Sequence, residues 1–99
     1  MSVIMMLRVA ADVDGFERYA AENSEKLDRV AADGRSKGAI HHFFSAGDGE
    51  LVVIDEWPDE ASFQGFFEGQ TAIPEIMGAV AQGGPEVTFL RKLETSDQF

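Results

Sequence analysis

Hydrophobic and polar positions change rhythm several times along these 99 residues, and each change marks an element. Val3-Ile-Met-Met-Leu-Arg-Val-Ala10 carries large apolar groups at odd and even positions alike, which predicts a strand covered on both faces. The period then lengthens. Phe16, Tyr19, Asn23, Leu27, Val30 and Ala31 recur at three- and four-residue spacing, one stripe of a single long helix. Asp14, three residues before Glu17, predicts a capping box at its start, and Asp33-Gly34 a left-handed cap at its end. Glu22/Lys26 and Glu25/Arg29 are spaced as ion pairs on its outer face.

Residues 39–45 read as a second strand, Gly47-Asp48-Gly49 as a turn, and residues 50–57 as a third strand in a hairpin with the second. Leu51 to Ile54 are all apolar, so this strand too is predicted to be covered on both sides. Asp59 is placed to cap a helix whose buried face is Phe63, Phe66 and Phe67. Gly69 stops it, Thr71 and Pro74 mark a second start, and Gly83-Gly84-Pro85 closes the helical region. Residues 86–93 predict a fourth strand.

The order is that of a ferredoxin-like βαββαβ fold of the α+β class, a four-stranded antiparallel sheet with its helices on one face. Residues 1–99 form one expected domain, its core spanning about 3–93 and residues 94–99 a loose tail. The sheet face away from the helices should be polar, yet Val3, Met5, Leu7 and Val9 alternate with Ile4 and Met6, so both sides of the first strand carry large apolar groups. A monomer rarely exposes so large an apolar surface. Covering roughly 600–800 Å² of it per subunit is worth on the order of 15–20 kcal/mol gross, part of which association costs absorb. A homodimer joined through the open sheet face is therefore expected.

Eight basic against 18 acidic residues give a net charge of −10. Such a surface repels phosphate backbones and anionic bilayers, so neither nucleic acid nor membrane is expected as a partner. Without cysteine there is no disulfide, thiolate nucleophile or zinc-thiolate site. No apolar run reaches membrane-spanning length, and Met1-Ser-Val-Ile-Met-Met lacks the basic start of a signal peptide. A cytoplasmic location is the expectation.

Chemistry is concentrated in few residues. His41 and His42 are the only histidines. As strand neighbours they point to opposite faces, so they do not readily ligate one metal together; one can enter a helix-side pocket as a general base, the alternative being a packed or partly exposed polar residue. Trp57 at the strand end serves as a core plug or as a wall that stacks on an aromatic ligand. Tyr19 and Asn23 lie four apart on the helical stripe. A buried amide there needs a partner, either a ligand or a backbone group. Asp55 and Glu56 read as solvating groups at the strand end.

Val53-Ile-Asp-Glu-Trp57-Pro-Asp-Glu-Ala-Ser-Phe63, together with the element order, resembles the dimeric α+β barrel superfamily, and within it the antibiotic biosynthesis monooxygenase-like domains. The resemblance covers about residues 3–93. It implies a dimeric barrel and an oxidoreductase that works without metal or organic cofactor on a small hydrophobic, aromatic or quinol-type compound. In that reading Trp57, Phe63 and Phe67 shape the pocket, Tyr19 and Asn23 position the substrate, and His41 or His42 removes a proton. The alternative is a non-catalytic dimeric module that binds a small apolar ligand or serves only in assembly. The haem-degrading branch uses a first-strand asparagine, the tryptophan, and a histidine on the second helix. Only Trp57 matches: the histidine position falls near Phe67, and the first strand has no asparagine.

Overall fold

A computed structural model describes residues 2–99. Its elements are β1 (Val3–Ala10), α1 (Val13–Glu22), α2 (Ser24–Ser36), β2 (His41–Gly47), β3 (Glu50–Trp57), α3 (Glu60–Gly69), α4 (Ala72–Val80) and β4 (Glu86–Arg91). The four strands form one sheet in the order β2-β3-β1-β4, every neighbouring pair antiparallel, which is the ferredoxin-like arrangement. Among the described residues, no helix is long and apolar enough to cross a membrane.

Register decides which side chains form the core. Met5, Leu7 and Val9 lie opposite Asp55, Val53 and Leu51, and alternation sends all of these to the helix side. There Met5, Leu7, Val9, Leu51 and Trp57 form one buried cluster with Phe16 of α1 and Phe63 and Phe66 of α3. Burying each large side chain contributes roughly 1.5–3 kcal/mol. The indole of Trp57 sits between two rings, 5.8 Å from Phe63 and 5.3 Å from Phe66. On the other sheet face, Phe43 remains 54% exposed and Leu90 48%.

The helices differ from the expected pattern in three places. The long first helix is two, because the chain breaks at Asn23 (φ −121°, ψ 32°). The Asn23 amide Nδ2 donates to the Tyr19 carbonyl (3.0 Å), so the side chain competes with the helical ladder and ends α1. Asp14 lies in the first turn of α1 and Asp12 occupies the cap position, without a side-chain cap bond. Because Glu22 and Lys26 straddle the break, Lys26 pairs with Glu75 of α4 instead. The helix end also moves: α2 continues to Ser36, and Gly38 (φ 114°) rather than Gly34 takes the left-handed conformation.

Two strand ends shift for related reasons. The Ala39 amide donates to the Gly34 carbonyl, holding the chain against α2, so β2 begins at His41 instead of residue 39. The ladder of β4 with β1 stops at Arg91 because its partner begins at Val3, and only the Lys92 amide continues it, to Ser2. Asp59 caps α3 as expected, accepting from the Ser62 amide at 2.7 Å.

Candidate functional site

A cavity of about 460 Å³ lies between the helix side of the sheet and helices α2, α3 and α4. Its sheet wall includes Met5, Leu7 and Val53; Phe63 and Phe67 of α3 and Met77 of α4 close the other side. The lining residues Ile40, Phe44 and Arg35 stay exposed and mark its open side. Such an apolar chamber with few polar groups is the usual form of a small-molecule site.

The polar groups of the sheet in its wall include His42 with Asp55. The two are opposite each other in the β2–β3 ladder, and His42 Nδ1 lies 2.7 Å from Asp55 Oδ1. Asp55 is buried, and its second oxygen accepts a hydrogen bond from Trp57 Nε1 at 3.1 Å. Asp55 and Trp57 share a face because they are two apart on one strand. His42 is 37% exposed, so its ring is anchored at one nitrogen and open at the other edge. Its ring meets Phe44 edge-on, with centroids 5.1 Å apart.

One residue earlier, the arrangement repeats on the opposite face. His41 Nδ1 lies 2.8 Å from Glu56 Oε1, and the buried Glu56 carboxylate also accepts from Ser2 Oγ (2.6 Å) and Lys92 Nζ (3.2 Å). The Ser2 hydroxyl, then His41 and Lys92, hold the Glu56 carboxyl below its ordinary 4.5, at about 2. Among the described residues, no group of three or more His, Asp or Glu side chains is placed to hold a metal ion.

No protein-family model and no curated protein matches the chain. Solved structures do. A protein of unknown function from Nitrosomonas europaea superposes with a TM-score of 0.70 at 19% identity, covering 99% of this chain and 95% of that one. SnoaB, a cofactor-independent oxygenase from Streptomyces nogalater, gives 0.66 at 19% identity, with 98% of each chain covered. An antibiotic biosynthesis monooxygenase gives 0.67 at 12% identity, covering 93% of this chain and 99% of that one. The fold is the one that these solved structures share, SnoaB and the antibiotic biosynthesis monooxygenase among them. At these identities the likeness is one of fold, and the chemistry must come from this chain's own side chains.

Within this fold, His42, Trp57, Phe63 and Phe67 line the same cavity. His41 borders it too, but its imidazole is engaged by Glu56 and is 70% exposed. Tyr19 and Asn23 stand apart. Tyr19 lines a separate shallow groove with Asp12, Arg18 and Val80, and Asn23 spends its amide on the backbone of α1.

Asp55 and Glu56 are the residues that sequence reasoning missed. Both are buried and both hold a histidine, where solvated groups were expected. The signal was present in the hairpin. A two-residue turn at Asp48-Gly49 pairs Gly47 with Glu50, and the same count carried along the strands pairs His42 with Asp55 and His41 with Glu56.

Proposed function

We propose that this protein is a cofactor-independent monooxygenase-like oxidoreductase acting on a small hydrophobic compound, aromatic or quinol-type. The observation that carries the reading is a histidine, held by a buried carboxylate, at the wall of an apolar cavity of about 460 Å³. An imidazole titrates near neutrality and is suited to removing a proton from an acidic C–H or O–H of a bound substrate. The apolar walls exclude water and strengthen the interaction between the imidazolium that forms and Asp55. With an anthrone as substrate, His42 takes a methylene proton and the resulting carbanion reduces dioxygen. The CH₂ becomes C=O, one oxygen atom enters the product, and the other leaves as water with both hydrogens. The electron pairs come from the substrate's two C–H bonds. Phe63 and Phe67 hold the flat ring system, and Trp57 closes the end of the chamber.

In the same reading, two protomers join through the open sheet face. Exposed Phe43 and Leu90 on that face support the arrangement.

Oxygen uptake with a panel of anthrones and quinols tests the proposal. Turnover by the parent should fall by about 10²-fold or more in His42→Ala, the usual contribution of a general base, and persist in His41→Ala. A parent that turns over none of the panel, yet binds its members saturably, is the non-catalytic module instead.

A further inference from the structure

We propose that Asp55 is the positioning residue of this site, fixing His42 as the tautomer whose bare Nε2 is available to the cavity, and that Trp57 holds the carboxylate in the orientation this requires. The carboxylate touches two groups of different capability. The indole Nε1–H of Trp57 can only donate, so the oxygen 3.1 Å away must accept. The other oxygen lies 2.7 Å from His42 Nδ1, and an ionised carboxylate has no proton to give. The shared proton therefore belongs to Nδ1. In the neutral ring that leaves Nε2 as the basic nitrogen, where an unrestrained histidine side chain in water favours the opposite tautomer. The same ordering follows from register: the sequence Asp55-Glu56-Trp57 puts acceptor and donor on one face of β3, and the hairpin brings His42 beside them. His41 with Glu56 provides an internal reference on the opposite face, held by Ser2 and Lys92 and out of contact with Asp55.

An asparagine at position 55 would reverse the arrangement. Trp57 Nε1–H would claim the amide oxygen, turning the NH₂ toward His42. The ring would then have to accept at Nδ1 and carry its proton on Nε2. Replacing Trp57 by phenylalanine as well removes that claim, so the amide can turn and the first tautomer can return.

The test is a proton–nitrogen correlation spectrum of the ¹⁵N-histidine-labelled protein, at a pH where the imidazoles are neutral. In the parent, His42 should show a protonated Nδ1 and a bare Nε2. Asp55→Asn should exchange the two signals while leaving those of His41 in place, and Asp55→Asn/Trp57→Phe should restore the parent pattern at least in part. A protonated Nε2 in the parent overturns the inference without need of any variant. So does a folded Asp55→Asn protein whose His42 pattern is unchanged. The consequence for turnover rests on His42 being the base: Asp55→Asn should then lower kcat by about 10²-fold or more with little change in KM. If the tautomer exchanges but the parent has no oxygenase turnover, the inference stands and the functional reading falls.

Discussion

His41 and Glu56 face each other across β2 and β3, Nδ1 2.8 Å from Oε1, on the sheet surface opposite the helices. With Ser2 and Lys92, His41 keeps the Glu56 carboxyl ionised down to about 2, against 4.5 for an ordinary glutamate. The unfolded chain therefore takes up a proton at this residue before the folded chain does. The contribution of Glu56 to stability is complete above 4.5 and is lost as pH falls from there through about 2. Urea unfolding at a series of pH values should give a steeper fall in that window for the parent than for Glu56→Gln. Equal slopes would mean that Glu56 has the same proton affinity in both states.

The second copy predicted to cover this face is tested at an exposed apolar ring on it. Phe43 is in register with Ile54 and stands 54% exposed. In a sheet-to-sheet dimer, Phe43→Glu would bury two carboxylates against apolar surface, which costs several kcal/mol unless they are paired. Sedimentation equilibrium should report a parent of twice the 10.8 kDa chain mass at micromolar concentration and a Phe43→Glu variant of one. A parent that sediments as a lone protomer removes the dimer from the reading.

The fold was largely legible because β1 and β3 carry apolar residues on both faces, and Gly49 (φ 70°) marks the hairpin between β2 and β3 without ambiguity. The break at Asn23 was not, since an amide on an apolar stripe is compatible with either an unbroken helix or a cap. Part of the cavity wall was legible for a related reason. Aromatic residues at helical spacing announce a wall, whereas Tyr19 shares that spacing but falls beyond the break. Asp55 and Glu56 were misread because charge alone suggests solvent. Their hydrogen-bond partners include a histidine each from the neighbouring strand, which composition does not reveal.

Gly34 and Gly38 offer substitutions of opposite sign. Gly34 is helical, and a Cβ there would meet the Phe66 ring at 3.5 Å, ordinary contact. Gly34→Ala should be neutral or stabilising by up to about 1 kcal/mol, from helix propensity. Gly38 sits at φ 114°, a conformation that side chains oppose, and its Cβ would lie 3.4 Å from Pro58 Cγ. Gly38→Ala should cost about 1–2 kcal/mol or more. Urea midpoints of the two variants check the order; a destabilised Gly34→Ala beside an unaffected Gly38→Ala would return the left-handed cap to Gly34.

Trp57→Phe separates the two roles of the indole. The side chain is 1% exposed and packs on Phe63 and Phe66, and a phenyl ring retains part of that contact. What it cannot retain is the N–H that satisfies Asp55 Oδ2. An orphaned buried acceptor costs about 1–3 kcal/mol, and the lost ring volume adds a cavity penalty. In Asp55→Asn/Trp57→Phe the freed amide can serve His42 alone, so the double variant should be less destabilised than the sum of the singles. A coupling of about 0.5–3 kcal/mol in the unfolding cycle is expected for residues in such contact. Strict additivity would assign Trp57 to packing and leave the carboxylate to be held by His42 alone.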